Sequence, residues 1–405
     1  MSIVVQKFGG SSVADAEKIH RAARRAIKTK LDGHQVVMTV SAMGKTTDKL
    51  VALANEVNPN PPRREMDMLL TTGEQVSISL MAMAIEASGH EAISFTGGQI
   101  GMLTDDSHTK ARIHSIDAER IKRELDAGKI VIIAGFQGVT EHGAITTLGR
   151  GGSDTTAVAL AAALKADSCE IYTDVDGVYT TDPRIVPQAR KMDEITYDEM
   201  LELASLGAKV MHSRSIEFGK KYNVPIHVRS SLTDTKGTMI VAETTGMEGI
   251  VVRGVTLKRD LARVVLIGVP NKPGIAARIF AHVAKHKIVV DDIIQNVYDQ
   301  GQVANISFTT SLGDAKEAVA CGEELAKEIG FKQVELDENV AKVSIVGIGM
   351  KTHTGVAAQM FNALSEAKVN IQNINTSEIV ISCLIDQKDG EHALQTLHAA
   401  FDLDK

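Results

Sequence analysis

The chain has 405 residues, of which 44% are apolar, and it carries a formal net charge of −7. This length exceeds one ordinary hydrophobic core and predicts two or three domains. With 3% aromatic residues and no basic block, the sequence lacks the features that bind nucleic acid. No apolar run approaches the ~20 residues of a membrane span. We therefore expect neither a nucleic-acid partner nor a membrane partner.

The N-terminus and the cysteines indicate a cytoplasmic protein. A strand is predicted from Ile3 onward, which argues against a signal peptide. Cys169, Cys321 and Cys383 lie far apart and form no CxxC pair. This spacing argues against a disulfide framework or a zinc knuckle and for a reducing compartment.

Residues 1 to about 240 alternate short apolar runs with longer helical patterns. Such alternation predicts a mainly parallel sheet with helices on both faces, whose ligands bind beyond the carboxyl ends of the strands. The predicted strands are 3–8, 35–40, 91–96, 130–134, 169–173 and 224–228. The predicted helices between them include 13–31, 72–88 and 197–206.

The first predicted strand ends in Lys7, Phe8, Gly9 and Gly10. Two glycines let the backbone approach phosphates, and Lys7 supplies a cation beside them. The segment is neither a P-loop nor a dinucleotide fingerprint, and a plain turn with a surface lysine is the alternative.

The eleven residues 147–157, TLGRGGSDTTA, form a second glycine-rich turn before a helical stretch. Ser153 or Asp154 is expected to cap that helix, whose N-terminus suits an anion. Arg150 adds a planar fork that matches a carboxylate or phosphate. The alternative is an ordinary capped helix after a flexible loop.

Two further loops follow. Residues 172–184, YTDVDGVYTTDPR, would suit a ribose and a base, or form a plain hairpin with solvated acids. Lys209 is either a second cation in a buried loop or a solvated surface lysine.

The last third of the chain contains an internal repeat. Residues 275–280, IAARIF, align with 356–361, VAAQMF, at an offset of 81 residues. Each copy has a β-rich run (264–269 and 343–348), a glycine turn and an amphipathic helix. His282 and His286 are one turn apart, but without a neighbouring glutamate motif we predict no metal site there.

Seven motifs in order, KFGGSS, VSAMG, TTGE, GFQG, TLGRGGSDTTA, YTDVDGVYTTDPR and GAKVMH, resemble the aspartokinases of the amino-acid kinase family. The repeat looks like a pair of ACT modules, which sense amino acids. The resemblance implies a three-layer αβα kinase domain with a mainly parallel sheet (1–245), followed by two ferredoxin-like βαββαβ modules (250–335 and 336–405). It also allows strand exchange between the modules, a C-terminal strand completing the first.

The implied reaction is transfer of the γ-phosphoryl group of ATP, with Mg²⁺ carried by the nucleotide, to the side-chain carboxylate of L-aspartate. That carboxylate is already ionised at neutral pH and needs no general base, so cations and amide donors should dominate the site. By similarity, the catalytic residues are Lys7, Asp154 and Lys209. The substrate-binding residues are Ser41, Thr47, Glu74, Phe136, Arg150, Gly151, Gly152 and Ser153. The ATP-binding residues are Lys7, Phe8, Gly9, Gly10, Thr173, Asp174, Tyr179, Asp182, Arg184, Lys209 and Val210.

The resemblance also implies feedback regulation by lysine, threonine or both, in a homo-oligomer joined through the ACT modules. An internal start near Met247 would give a shorter regulatory chain. The first effector set is Lys272, Pro273, Gly274, Ile275, Ala276, Asp291, Gln295 and Asn296. The second is Met350, His353, Thr354, Gly355, Val356, Asn373, Asn375, Thr376 and Glu378.

Two alternatives stay open at this point. The chain could phosphorylate another amino acid, such as glutamate, on the same fold. It could also be a non-catalytic amino-acid sensor with a degenerate kinase domain, although intact Lys7, Asp154 and Lys209 argue against that.

Overall fold

A computed structural model describes residues 2–208, 210–244 and 251–405 and divides them into two compact units. The first unit contains residues 2–179, 191–205 and 210–244. The second contains residues 180–190, 206–208 and 251–405. Lys209 and residues 245–250, which contain the predicted boundary between the kinase domain (1–245) and the first module (250–335), lie outside the described residues.

An eight-stranded sheet forms the centre of the first unit. The strands of this unit are β1 (Ile3–Phe8), β2 (Gln35–Val40), β3 (Ala92–Phe95), β4 (Leu103–Thr104), β5 (Ile113–Ser115), β6 (Ile130–Ala134), β7 (Gln137–Val139), β8 (Ile145–Thr147), β9 (Ser168–Thr173), β10 (Glu194–Thr196), β11 (Ile226–Ser230) and β12 (Thr238–Val241). The large sheet has the order β10-β12-β11-β9-β1-β2-β6-β3. The six strands from β11 to β3 are parallel, which confirms the predicted sheet.

Helices cover both faces of this sheet. They are α1 (Ala16–Leu31), α2 (Thr46–Val57), α3 (Arg63–Glu86), α4 (Glu119–Asp126), α5 (Gly152–Leu164), α6 (Tyr197–Ser205) and α7 (Ser213–Tyr222). On one face, α1 and α3 pack their apolar stripes against Met38 of β2 and Ile132 of β6. Residues that alternate with these along the strands, such as Val37 and Ile133, are also fully buried, and α5 contacts β1, β2 and β9. Burial on both faces explains the nearly continuous apolar runs of the central strands.

Helix α3 is longer than predicted, because it begins at Arg63 directly after Pro62. Its buried stripe includes two acids, Asp67 and Glu74, which are seven residues apart. By length and composition alone this helix could cross a membrane, but half of its most apolar stretch is buried inside the protein. A buried core helix passes the same test, so the observation is weak evidence for a membrane span.

A second, small sheet of order β5-β4-β7-β8 was not predicted. Its strands have only two or three residues each, too few to show a period of alternation.

The second unit contains two four-stranded antiparallel sheets. Its strands are β13 (Gly254–Lys258), β14 (Ala262–Pro270), β15 (Asp291–Tyr298), β16 (Val303–Thr310), β17 (Gln333–Asp337), β18 (Val340–Val346), β19 (Ile371–Thr376) and β20 (Val380–Asp386). Its helices are α8 (Ile275–Lys285), α9 (Ala315–Ile329), α10 (Val356–Glu366) and α11 (Gly390–Ala400). Helices α8 and α9 share a core with the sheet β15-β16-β14-β17, and α10 and α11 with the sheet β13-β18-β20-β19. The repeated modules predicted from the sequence are thus present.

The path of the chain differs from the predicted one. In the described part of the chain, the first module is continuous from β14 to β17 and receives no C-terminal strand. Strand β13, which the predicted boundaries assign to the first module, pairs instead with β18 at the edge of the second sheet. The first module is therefore inserted between β13 and the rest of the second module.

The segment Thr180–Arg190 also belongs to the second unit. Val186 is 4% exposed in the core of the second module, and the Thr180 hydroxyl bonds Nε2 of buried His398 at 2.9 Å. The chain thus leaves the first unit after Tyr179, enters this core and returns at Lys191.

Candidate active site

The carboxyl ends of four adjacent strands meet at one edge of the large sheet. The Ser41 N–H, just after β2, donates to the Phe8 carbonyl at 3.1 Å. The Gly135 N–H, just after β6, donates to the Val40 carbonyl at 3.0 Å. Gly9 lies beside Tyr172 of β9, at an N–O distance of 3.4 Å. Four of the predicted motifs are therefore neighbours at the edge where parallel sheets bind ligands.

Lys7 and Asp154 form an ion pair at this edge. The Lys7 Nζ lies 2.5 Å from Asp154 Oδ1, and the two side chains are only 12% and 13% exposed. Lys7 comes from the end of β1 and Asp154 from the first turn of α5. The carboxylate thus fixes the position of the ammonium group beside the N-terminus of a helix.

The cap of α5 differs from the prediction. Neither Ser153 nor Asp154 is the N-cap, because Gly151 takes that position in the left-handed region, at φ 69°, and the helix begins at Gly152. No side chain caps the first turn. A helix end without a capping side chain has free N–H donors and a partial positive charge. The observed start of α5 is therefore better suited to binding an anion than the predicted start, which a side chain would have capped.

Close backbone approaches explain two glycines of the site. A Cβ on Gly10 would lie 2.8 Å from the Ala42 carbonyl oxygen. A Cβ on Gly135 would lie 2.7 Å from Ser153 Oγ. Without a side chain at Gly10, the end of β1 can lie against the loop that follows β2. Without a side chain at Gly135, the end of β6 can lie against the start of α5.

Glu74 of α3 reaches the same edge from one of the covering helices. It is 3% exposed, and its Oε1 accepts a hydrogen bond from the Ala42 N–H at 3.2 Å, just after Ser41. Its Oε2 has no hydrogen-bond partner in the described structure. Desolvation raises the pKa of Glu74 to about 7, against the opposing effect of this hydrogen bond. A buried carboxylate oxygen without a donor is a ready site for an ammonium group.

The other predicted substrate residues lie in loops or first turns of this unit. Arg150 is exposed, in the loop between β8 and α5. Phe136 adopts a positive φ of 71°, and its N–H donates to Thr156 Oγ1 of α5 at 3.1 Å. Thr47 is half-buried in the first turn of α2.

The predicted nucleotide residues are divided between the two units. Phe8 is buried and stacks on Tyr172 with ring centroids 4.7 Å apart, so only its backbone can serve a nucleotide. Thr173 ends β9, and its hydroxyl donates to exposed Asp174 at 3.1 Å. Burial and then Asp176, which accepts its hydroxyl at 2.8 Å, raise the pKa of Tyr179 to about 12.

Asp182 and Arg184 belong to the second unit and bind each other. Three hydrogen bonds join their side chains; Arg184 Nε donates to Asp182 Oδ1 at 2.9 Å and to Oδ2 at 3.2 Å, and Nη2 donates to Oδ2 at 2.7 Å. Val210 is half-buried next to undescribed Lys209.

Two residues that support the glycine-rich turn were not predicted. Arg214 Nη1 donates to the Leu148 carbonyl at 2.9 Å, just before Gly149. Fully buried Asp67 accepts the Thr147 hydroxyl at 2.6 Å and approaches His108 Nδ1 to 2.7 Å. An acid on the apolar stripe of α3 was the signal that could have identified Asp67.

In the second unit, a cavity of about 440 Å³ contains most of the first predicted effector set. Gly274, at φ 90°, is the N-cap of α8, and no side chain caps that helix either. Gln295 of β15 crosses to Asn271, donating from Nε2 to Oδ1 at 3.1 Å. The lining residues are Val269, Pro270, Asn271, Lys272, Pro273, Gly274, Ile275, Ala276, Gln295, Ala304 and Ile306. Asp291 and Asn296 are not among them.

The second effector set repeats this glycine turn. Gly355, also at φ 90°, is the N-cap of α10, with Thr354 before it and Val356 after it. His353 Nδ1 donates to the Gly349 carbonyl at 2.8 Å, in the turn that contains Met350. Glu378 pairs with Lys351 at 2.8 Å. Asn373 and Thr376 lie on β19.

Asp291 and Asp292 point to the second module rather than to the cavity. Lys342 of β18 is 3% exposed, and its ammonium group lies 2.8 Å from Asp291 and 2.5 Å from Asp292. Asn375 of β19 donates to Asp292 at 2.7 Å. Burial alone would lower the pKa of Lys342, but these carboxylates outweigh it and raise that pKa. The start of β15 is thus tied to the second module.

Comparison with known proteins identifies the family. The amino acid kinase family model matches residues 2–230, and ACT domain models match residues 263–330 and 343–401. Aspartokinase 2 of Bacillus subtilis strain 168 is 51% identical over 405 residues, covering 100% of this chain and 99% of that protein.

Two solved structures of Escherichia coli aspartokinase III share 28% identity and cover 98% of this chain and 99% of the E. coli chain. One holds aspartate and ADP in the R-state, with a TM-score of 0.83, and the other holds lysine and aspartate in the T-state, with a TM-score of 0.77. This chain therefore belongs to the amino acid kinase family and, within it, to the aspartokinases.

Proposed function

We propose that this chain transfers the γ-phosphoryl group of ATP to the side-chain carboxylate of L-aspartate, giving 4-phospho-L-aspartate. The observation that carries the proposal is the convergence of the Lys7–Asp154 pair, the uncapped start of α5 and the free carboxylate oxygen of Glu74 at one edge of the sheet. Two anions must meet in this reaction, so a site that offers fixed positive charge lowers the barrier.

Each group has a distinct part in this reaction. Lys7 stabilises the charge of the transferring phosphoryl group, and Asp154 holds Lys7 in place rather than accepting a proton. Glu74 binds the α-ammonium group of aspartate through its free oxygen, and Arg150 binds the α-carboxylate with its planar fork. By its resemblance to the family motif, Lys209 would add a second cation for the phosphoryl group.

For ATP we propose the glycine turn at Gly9 and Gly10 together with the loop that follows β9. Among the described residues, no group of three acids converges at this edge. The residues present fit Mg²⁺ held mainly by the phosphates and water, with Asp174 as an exposed carboxylate directly after β9. Such an ion would neutralise phosphate charge.

For the second unit we propose feedback inhibition by lysine, threonine or both in a homo-oligomer. An effector carboxylate would bind the free N–H groups at the start of α8 or α10. The edge strand β15 exposes Ile293, Val297 and Tyr298, at 51%, 49% and 41%, and β19 exposes Ile374 at 46%. Apolar side chains on unpaired sheet edges favour pairing with a second copy.

We also infer a cytoplasmic location and a place at the start of the biosynthesis of the aspartate-derived amino acids. The three cysteines are free and buried, which fits a reducing compartment.

The test is hydroxylamine trapping of the acyl phosphate. Purified enzyme, ATP and Mg²⁺ should form hydroxamate with L-aspartate and far less with L-glutamate. Added lysine or threonine should reduce the yield. Hydroxamate from glutamate alone would overturn the substrate, and none from any amino acid would favour a non-catalytic sensor.

A further inference from the structure

Two helices of the first module bring together a group of metal-ligating side chains at the two histidines where the sequence predicted no metal site. His282 and His286 are one turn apart at the end of α8, and Cys321 lies on α9. One ligand atom from each of the three residues lies within 4.8 Å of the other two. None of the three belongs to the predicted effector set or lines the cavity.

Carboxylates surround this group in a regular pattern. Glu317, Cys321 and Glu324 share one face of α9, at positions i, i+4 and i+7. Glu324 Oε2 lies 3.2 Å from His282 Nε2, and Glu317 Oε1 lies 3.2 Å from His286 Nδ1. A carboxylate that binds one ring nitrogen orients the imidazole and leaves the other nitrogen for a metal.

Burial of the three ligands decreases toward solvent. Cys321 is 1% exposed, within the core of the module, whereas the side chains of His282 and His286 are 24% and 36% exposed. The sulfur is therefore the most buried of the three ligands, and the two imidazoles lie on its solvent side. A metal ion can reach the group from solvent past the imidazoles.

The second module provides an internal comparison. At the offset of 81 residues, Ala363 and Ala367 stand in place of His282 and His286. Helix α10 packs on its sheet with these alanines, so the fold of the module does not require imidazoles there. The histidines are an addition to the first module.

We propose that His282, His286 and Cys321 bind one transition-metal ion of the Zn²⁺ class between α8 and α9. Two nitrogens and one sulfur are donors that tetrahedral zinc accepts, with water in the fourth position. Donors around tetrahedral zinc stand about 3.3 to 3.7 Å apart, so binding requires these atoms to approach one another by at most about 1.5 Å. The half-exposed imidazoles can supply that movement by rotamer changes.

The experiment uses the full-length protein, stripped with a chelator and titrated with Co²⁺ as a spectroscopic probe, then with Zn²⁺ in competition. We expect one metal per chain, with a thiolate-to-cobalt charge-transfer absorption and tetrahedral d–d bands, both displaced by Zn²⁺. Replacing both histidines by alanine (His282→Ala with His286→Ala), as in the second module, should abolish the tetrahedral signal. Replacing Glu317 and Glu324 by glutamine should weaken binding about 10- to 100-fold.

The matched controls are Cys383→Ala, a buried cysteine of the second module, and His392→Ala, an exposed histidine on α11. Both should bind cobalt like the parent protein. Cys321→Ala should remove the charge-transfer absorption. If the cysteine variant does not fold, the double histidine variant tests the proposal in its place. Binding without thiolate absorption, or binding that survives loss of both histidines, would identify adventitious surface binding and overturn the proposal. No stoichiometric binding would overturn it as well.

Discussion

The two units differ in how their functional groups are assembled. In the first unit, groups from four strand ends and two helices meet at one edge of one sheet, with Lys7, Asp154 and Glu74 largely buried. In the second unit, each module repeats a simple glycine turn before a helix, and a buried ion pair at Lys342 joins the modules. Chemistry between two anions requires many groups in one place, whereas sensing is served by repeated small sites connected to each other. Variants of one unit should therefore leave the property of the other unchanged.

Lys7→Ala should have the largest effect. Because it removes the cation held by Asp154, kcat should fall about 10³-fold, while the concentration of lysine that halves activity stays the same. Steady-state kinetics with and without effector measures both. A near-normal kcat would show that Lys7 has no catalytic role. A change in the lysine concentration that halves activity would show that this residue of the first unit also affects regulation.

Lys342→Met should act on the second unit. It leaves the carboxylate of Asp292, whose side chain is 5% exposed, without its cation, so the free energy of unfolding should fall by about 3 kcal/mol. Inhibition by effectors should weaken while uninhibited kcat remains. Denaturant unfolding and inhibition curves measure these effects.

Lys388→Met is the matched control for that variant, since its ion pair with Asp386 is exposed and should contribute less than about 1 kcal/mol. Equal stability of the two variants would show that the buried pair is not the connection between the modules.

Arg150→Ala should separate the two substrates. Loss of the planar fork should raise the KM for aspartate about 100-fold, or about 3 kcal/mol, and leave the KM for ATP within a few-fold. The KM for ATP is the internal control. Equal increases in both constants would contradict the proposed role.

Glu74→Gln should have the smallest effect and be visible chiefly in pH dependence. With a pKa of about 7, Glu74 loses its charge as the pH falls from 8 to 6, so kcat/KM for aspartate should fall about tenfold per unit below 7. The glutamine variant should start lower at pH 8 but show no such fall. An unchanged slope would assign the titration to another group.

The same pKa has a consequence for stability. A carboxyl group whose folded pKa lies above its unfolded value stabilises the fold at low pH and loses that contribution between about 4.5 and 7. Glu74→Gln should therefore raise the free energy of unfolding at pH 8, with a gain that disappears by pH 4.5. Unfolding curves at the two pH values test the sign.

Local patterns predicted most of the first unit. The apolar runs of β1, β2, β6 and β9 are buried on both faces, so their sequences identify them directly, and the glycines mark where they end. The cap of α5 was predicted wrongly, because side-chain preference favoured Ser153 or Asp154, while the left-handed Gly151 starts the helix. Asp67 and Arg214 were missed because each acts across more than 60 residues of sequence, on Thr147 and Leu148.

In the second unit, the repeat predicted two modules but not the path between them. A strand pairs with whichever edge its side chains fit, and nothing within residues 254–258 specifies β18 over β14. The ion pair between Asp291 and Lys342 could not be predicted from the sequence either, because 51 residues separate them. Separation in sequence, rather than weakness of pattern, limited the prediction.

The short excursion of the chain through Thr180–Arg190 bears on how this protein can be dissected. A truncation after residue 245 would expose Val186 to water, because the core that buries it would be removed. A fragment that starts near residue 247 would lack Val186 in that same core. Each loss is of the order of 2 kcal/mol for one valine. Regulation and catalysis are therefore better separated by point variants of the full-length chain than by truncation. Any natural regulatory fragment must fill the position of Val186 in its core with another side chain.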